Sequence, residues 1–284
     1  MPPVETICVC GAGTMGTGIA QAAAQKGLHV LLYDVNNDVL NKSRIIIENN
    51  IDRLRAKGKL SSGESHEIIG RLQYITDIND CIAQIIIEAI VEKYEPKIEL
   101  FSYLAKINHH TSIFASNTSS LSITAIAQQV TNPGNLAGMH FFNPAPIMQL
   151  VEIATTEYTT PATAKQIYNL AVQMGKTPVY CKDAPGFIVN RVARHYYLEA
   201  LRLVEEANID FTDVDAIMEA SGFKMGPFRL MDLIGNDVNL AVTTSLYEAF
   251  NHSPRFSPSP LQIEKVQKHE LGKKTGKGYY DYNR

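Results

Sequence analysis

Short apolar runs alternate with longer stretches of mixed polarity through the first two-thirds of the chain. Ile7-Cys-Val-Cys, Leu28-His-Val-Leu-Leu-Tyr, Gln84-Ile-Ile-Ile-Glu-Ala and Ser112-Ile-Phe-Ala-Ser read as buried strands. Between them the pattern predicts a small-residue helix over Thr14–Lys26 ended by Gly27 and a long helix over Asn37–Lys57 closed by Gly58. A charged helical piece near Glu64–Arg71 and a helix over Glu95–Asn108 follow. This order predicts a parallel sheet with helices on both faces. Asn135-Leu-Ala-Gly-Met-His-Phe-Phe and Gln149-Leu-Val-Glu-Ile-Ala-Thr are two further short strands, with Asn143, Pro144 and Pro146 turning between them. The alternation stops after a strand at Pro178–Lys182. From Pro185 onward the pattern is helical, over Pro185–Ala207, Thr212–Ser221, Phe228–Phe250 and Ser259–His269, with a proline-rich loop at Asn251–Pro260. A boundary falls near residues 183–186, where Asp183-Ala-Pro-Gly offers a helix start with Pro in its first turn.

The first strand runs into Gly11-Ala-Gly13-Thr14-Met15-Gly16, which opens the first helix. A lone GxGxxG is weak evidence, but strand before, helix after and strand next is the context that gives it meaning. Gly11 permits a tight turn, Gly13 lets backbone approach a pyrophosphate, and Gly16 allows close helix–strand packing. The phosphates would lie on amides at a helix N-terminus. Asp34 ends the second strand, placed to hydrogen-bond a ribose hydroxyl and repel a 2′-phosphate. Val35-Asn-Asn follows with no Arg, which favours NAD over NADP. The expected fold class is therefore α/β, a Rossmann-type dinucleotide-binding domain over residues 1–184 and an all-helical domain over residues 185–284.

A simple hairpin centred on Pro146 makes positions whose numbers sum to 292 face each other, and His140 and Glu152 are such a pair. Opposed residues on one sheet face have Cβ atoms about 4.5–5.5 Å apart, within reach of an imidazole–carboxylate hydrogen bond. A histidine can take and return a proton near neutrality, and a carboxylate on its other nitrogen fixes the tautomer. Such a pair alone is more often structural than catalytic.

Composition narrows the picture without redirecting it. The 284 residues are 45% hydrophobic and 19% charged, with a net charge of −3 and a pI near 6.2. Nothing there points to nucleic acid or an anionic membrane, and no apolar run reaches a membrane span. Cys8, Cys10, Cys81 and Cys181 lack metal-ligand spacing, so reduced thiols, a cytoplasmic setting and no metal are expected. The Met1-Pro-Pro-Val-Glu-Thr start lacks the basic region of a signal peptide.

With Gly11-Ala-Gly-Thr-Met-Gly, Ser116-Asn-Thr-Ser-Ser, Gly138-Met-His-Phe-Phe-Asn-Pro-Ala-Pro, Asp183-Ala-Pro-Gly-Phe-Ile-Val-Asn-Arg and Gly272-Lys-Lys-Thr-Gly-Lys-Gly-Tyr-Tyr, the chain strongly resembles the 3-hydroxyacyl-CoA dehydrogenases. It looks most like their short bacterial 3-hydroxybutyryl-CoA members. The resemblance implies NAD-linked interconversion of (S)-3-hydroxyacyl-CoA and 3-oxoacyl-CoA in a homodimer. It implies proton transfer by His140 and Glu152, with Ser119 and Asn190 touching the reacting oxygen. Read from residue type alone, those last two would be an ST turn and a helix-capping amide. It further implies dinucleotide contacts for Glu92, Lys97, Asn143 and Lys274. Arg53 and Lys57 match lysines that meet the CoA phosphates, in a helical insertion near residues 37–71. They share a helix face at i, i+4, and a solvated basic face reads the same. The rival readings are a sugar-acid dehydrogenase of the same fold and a non-catalytic NAD-binding protein.

Overall fold

The computed structural model describes residues 4–207 and 209–283. Met1 to Pro3, on which the reading of the N-terminus partly rests, lie outside the described residues. The chain divides into two compact units, 1–184 and 185–284.

In the first unit one eight-stranded sheet runs in the order β3-β2-β1-β4-β5-β6-β7-β8. Its strands are β1 (Thr6–Cys10), β2 (His29–Tyr33), β3 (Leu72–Ile75), β4 (Ile85–Glu88), β5 (Ile113–Ser116), β6 (Leu136–Phe141), β7 (Leu150–Thr155) and β8 (Thr177–Lys182). Every neighbouring pair is parallel except β6 and β7. Helices α1 (Thr14–Ala24), α2 (Asn37–Ala56), α3 (Ser62–Gly70), α4 (Tyr94–Ile107), α5 (Ile123–Ala127) and α6 (Pro161–Gln173) connect the strands. Central strands β1 and β4 are buried on both faces, as their unbroken apolar runs require. Helix starts follow local chemistry: Asn36 caps α2 by accepting from the Asp38 amide, and Ser61 and Glu64 form a reciprocal capping box on α3. The sequence pattern misses β3, a four-residue edge strand, along with α5 and α6.

The second unit is helical throughout: α7 (Val189–Ala207), α8 (Phe211–Ala220), α9 (Pro227–Ile234), α10 (Asn236–Ala249) and α11 (Pro260–Gln267). Two sequence expectations need correction. Pro185 does not open α7, because Gly186 (φ 72°) and Phe187 (φ 46°) are left-handed and the helix begins at Val189. The single helix expected over Phe228–Phe250 is two, broken at Gly235, whose φ of 106° no right-handed helix accommodates. A 3₁₀ turn at Pro254–Phe256 interrupts the expected loop and buries Phe256 completely.

Tyr197, Leu201, Phe228, Met231 and Tyr279 are central to the core of this unit. Its C-terminal segment is anchored by a carboxylate. Asp232, 1% exposed, accepts from the amides of Tyr279 and Tyr280 (both 2.9 Å), from Asn236 Nδ2 (3.0 Å) and from the Tyr282 hydroxyl (3.1 Å). Asp232→Ala strands these donors, at about 1–3 kcal/mol for each one left buried and unsatisfied. Urea unfolding is therefore expected to show a large loss of stability. A variant within roughly 0.5 kcal/mol of wild type, the range of ordinary surface changes, rejects the anchor.

Candidate active site

The glycine turn lies at the carboxyl end of β1. The Gly11 amide donates to Tyr33 O at 2.7 Å, joining the turn to the end of β2. A Cβ on Gly16 would stand 1.7 Å from Gly11 O, so only glycine lets α1 leave the strand at this angle. Thr14 and Met15 form its first turn, with Met15 packed on the core. No side chain caps α1, which leaves its first amides for an anion. Asp34 is fixed from both sides, Oδ2 accepting from the Ala12 amide and Oδ1 from the Asn36 amide, each at 2.9 Å. A carboxylate has further lone pairs for a ribose hydroxyl. A cavity of about 450 Å³ opens here, lined by Gly11, Gly13, Asp34 and Ile90 among others, and no Lys or Arg lines it. This donor set fits a dinucleotide without a 2′-phosphate.

Beside it the strand ends carry a buried ionic network. Glu88 at the end of β4 is wholly buried and pairs in register with Ser116 at the end of β5. Ser116 Oγ donates to Glu88 Oε2 at 2.6 Å. Lys97 reaches in from α4, 1% exposed, to bind Glu88 Oε1 and to lie 3.1 Å from Glu92 Oε2. Glu92 Oε1 in turn accepts from Thr118 Oγ1, from the Ser119 amide (3.1 Å) and from Ser120 Oγ (2.9 Å). Burial pushes the Glu92 carboxyl up, but the Lys97 ammonium and the hydroxyls outweigh it and hold it below the usual range. Asn117 Oδ1 accepts from the Phe141 amide at 2.9 Å, tying the same loop to β6. Ser119 thus sits on a loop held at both ends. The resemblance implies a dinucleotide contact for Lys97. In the structure its ammonium is enclosed by two carboxylates, one of them the Glu92 that carries the Ser119 loop.

The hairpin register is the one that the sequence arithmetic predicts: His140 faces Glu152 across β6 and β7. His140 Nδ1 lies 2.8 Å from Glu152 Oε2, with both residues buried (6% and 1% exposed). A carboxylate at Nδ1 keeps the proton of the neutral ring there and makes Nε2 the basic nitrogen. The Phe142 ring packs against the imidazole at 4.5 Å between centroids. Lys176, just before β8, donates to Ala145 O and Met148 O and so braces the turn that holds exposed Asn143. Burial, with Lys26 nearby, holds the Lys176 pKa below its usual value.

Arg53 and Lys57 are exposed at the end of α2, and among the described residues neither makes an ion pair. In the second unit, Asn190 is half-buried in the first turn of α7. Lys274 pairs with Asp237 at 2.6 and 2.7 Å. All four cysteines are free thiols, and Cys8, Cys10 and Cys81 gather their sulfurs within 4.8 Å of one another in the core. No helix among the described residues is long and apolar enough to cross a membrane. Sequence reasoning missed Glu88, Ser116 and Lys176. A lone acid at the end of an apolar strand was the available signal for Glu88.

A glycine turn on a parallel sheet, an acid ending the second strand and no cation for a 2′-phosphate define an NAD-binding oxidoreductase fold. A family model described as "3-hydroxyacyl-CoA dehydrogenase, NAD binding domain" matches residues 6–184, and its C-terminal domain counterpart matches residues 186–282. The chain belongs to the 3-hydroxyacyl-CoA dehydrogenase family. It is 45% identical over 281 residues to the 3-hydroxyadipyl-CoA dehydrogenase of Escherichia coli (strain K12), covering 98% of this chain and 59% of that protein. A probable 3-hydroxybutyryl-CoA dehydrogenase of Deinococcus radiodurans is 40% identical over 276 residues, covering 96% and 99%. The crystal structure of 3-hydroxybutyryl-CoA dehydrogenase from Escherichia coli K12 superposes with a TM-score of 0.95 at 44% identity, over 100% of this chain and 60% of that one. The chain therefore spans only about three-fifths of its E. coli relatives.

Two expectations follow from the geometry. Lys97→Met leaves Glu88 buried without its cation, a change worth about 3–5 kcal/mol. The melting temperature should fall and NADH binding should weaken with it, whereas an unchanged melt would show the network to be dispensable. Asp34→Ala should cost roughly 1.5–3 kcal/mol of NADH affinity, typical of hydrogen bonds to a charged group. Fluorescence titration measures this, and wild-type activity with NADPH equal to that with NADH would refute the reading of Asp34.

Proposed function

We propose that this protein interconverts (S)-3-hydroxyacyl-CoA and 3-oxoacyl-CoA of short chain length, with His140 as the proton carrier. The observation that carries the reading is the buried 2.8 Å contact between His140 Nδ1 and Glu152 Oε2. Oxidation of a secondary alcohol needs a base for the O–H, donors for the oxygen and a hydride acceptor. NAD, whose pyrophosphate the glycine turn and whose ribose Asp34 would hold, would supply the hydride acceptor. The protein handles the proton. His140 Nε2 takes the hydroxyl proton, and Glu152 stabilises the imidazolium that results. In the reductive direction the same nitrogen returns the proton to the forming alkoxide. Ser119 and Asn190 are neutral donors suited to holding the reacting oxygen, and Asn143 belongs beside the nicotinamide. Glu92, Lys97 and Lys274 serve the dinucleotide, the first two by fixing the Ser119 loop.

The names of relatives support a CoA thioester: one acts on 3-hydroxyadipyl-CoA and another is a probable 3-hydroxybutyryl-CoA dehydrogenase. Arg53 and Lys57, exposed at the end of α2 and without an ion-pair partner among the described residues, suit the CoA phosphates. That basic face also disfavours the sugar-acid reading. Exposed Ile217, Phe223 and Val238 suit pairing of the helical unit in a homodimer. Four free thiols suit a reducing, cytoplasmic setting.

Oxidation of NADH with acetoacetyl-CoA tests the reaction directly. His140→Gln should lower kcat by about 10²–10⁴, the usual worth of a general base, while NADH still binds. Glu152→Gln should also be impaired, and the double variant should be little worse than His140→Gln because the two act as one unit. Fully additive losses, or near-wild-type kcat in His140→Gln, would send the proton elsewhere.

A further inference from the structure

The names of the relatives leave open how the acyl chain ends, in a methyl group or in a second carboxylate. The helical unit contains an unusual cation that bears on this. Arg194 on α7 is 3% exposed, and among the described residues no Asp or Glu pairs with it. Its Nη1 donates to Asn239 O (2.9 Å), Asn239 Oδ1 (3.0 Å) and Thr243 Oγ1 (2.9 Å), all uncharged acceptors on α10. Gln262 of α11 donates to the same Asn239 Oδ1 and to Thr243 Oγ1. Three buried atoms of this one cluster have no hydrogen-bond partner among the described residues: Arg194 Nε, Asn239 Nδ2 and Gln262 Oε1. Beyond these bonds the face of Tyr197, 5.1 Å from the guanidinium carbon, offers it partial compensation. Burial lowers the Arg194 pKa to about 10, which still leaves it charged at neutral pH.

Elsewhere in this unit the buried charges are satisfied. Asp232 accepts four hydrogen bonds, and Asp215 accepts from the Phe228 and Arg229 amides and the Tyr280 hydroxyl. A buried cation without an anion, beside a second orphaned donor, offers an anion two N–H groups that the protein's own side chains leave unused. Two N–H donors and a fixed positive charge match a carboxylate, which brings two acceptor oxygens and the opposite charge.

The position on the helix identifies which carboxylate. Arg194 follows Asn190 by four residues, so both lie on one face of α7, about 6 Å apart along the axis. Asn190 is the residue proposed above to hold the reacting oxygen. In a six-carbon 3-hydroxydicarboxylyl thioester the distal carboxyl carbon stands three carbons beyond the reacting carbon, a reach of the same order as one helical turn. We propose that Arg194, with Asn239, binds the distal carboxylate of such a substrate and selects ω-carboxylated acyl-CoA over methyl-ended chains of equal length. The proposal rests on the reading of the chain as a 3-hydroxyacyl-CoA dehydrogenase.

The test compares kcat/KM for 3-oxoadipyl-CoA and 3-oxohexanoyl-CoA, which differ only at the chain end, with NADH as reductant and acetoacetyl-CoA as a third substrate. Wild type is expected to favour 3-oxoadipyl-CoA at least tenfold. Arg194→Met should bring that ratio close to one, and Arg194→Lys should keep part of it. A folding defect would instead lower both rates in proportion and leave the ratio intact. Wild-type turnover of acetoacetyl-CoA and 3-oxohexanoyl-CoA with no preference for the dicarboxylyl substrate would overturn the proposal and leave the dehydrogenase reading standing. A preference that survives Arg194→Met would also overturn it, making the cluster a structural network. Failure to oxidise NADH with any of the three would sink the underlying reading and this one with it.

Discussion

His140 and Glu152 meet because β7 runs against β6. In a parallel crossover a dozen or more residues would be needed to bring the chain back to the same edge, and positions twelve apart could not oppose each other. Reversal at residues 142–149 places them in direct register instead. The constraint works in both directions. Glu152 is 1% exposed, and a carboxylate there without a hydrogen-bonding partner would be costly to bury. The imidazole meets that need, and the carboxylate in return fixes which ring nitrogen is basic. Lys176 adds a brace, since its two bonds to carbonyls of the turn hold the reversal in shape.

The rest of the site belongs to the parallel part of the sheet. Gly11, Asp34, Glu88 and Ser116 all stand at or just past the carboxyl ends of β1, β2, β4 and β5. In the order β3-β2-β1-β4-β5 the chain crosses over between β1 and β4, and an open α/β sheet binds ligands at such a switch point. Three acids crowd this edge, and each is compensated differently. Backbone amides receive Asp34, whereas Lys97 and hydroxyls receive Glu88 and Glu92. The first arrangement leaves a carboxylate available to a sugar hydroxyl. The second turns negative charge into a rigid support for the Ser119 loop.

Much of this was legible in the sequence because it is local. A glycine turn between a strand and a helix, an acid ending the next strand and a proline-centred reversal are each encoded within about twenty residues. The features that escaped are long-range or rest on backbone conformation. Glu88 and Lys97 are nine residues apart, on a strand and a helix, and no periodicity announces that they meet. Lysines are usually exposed, and only the two facing carboxylates make the burial of Lys97 possible. The break at Gly235 lies inside an unbroken apolar pattern, where a single glycine was the one sign of a left-handed residue. At Pro185 local preference pointed to a helix start, and the left-handed pair at Gly186 and Phe187 overrode it. β3 is a short edge strand with one buried residue, too little burial to leave a hydrophobic signature.

The two units also handle buried charge by different rules, and the difference gives Arg194 its meaning. In the first unit buried acids are met by ionic or ionisable partners, Glu88 by Lys97 and Glu152 by His140. In the second unit Asp232 is met by amides, a hydroxyl and a side-chain amide, and Asp215 by amides and a hydroxyl, with Arg229 Nε 3.8 Å from its Oδ2. Both schemes complete the valence of the charged atoms. Arg194 follows neither, since its acceptors are neutral and its Nε has none. An arginine in a purely structural role gains most from bidentate pairing with a carboxylate. One held by neutral oxygens along one edge, with a donor left over, is arranged for an anion that arrives from outside the chain.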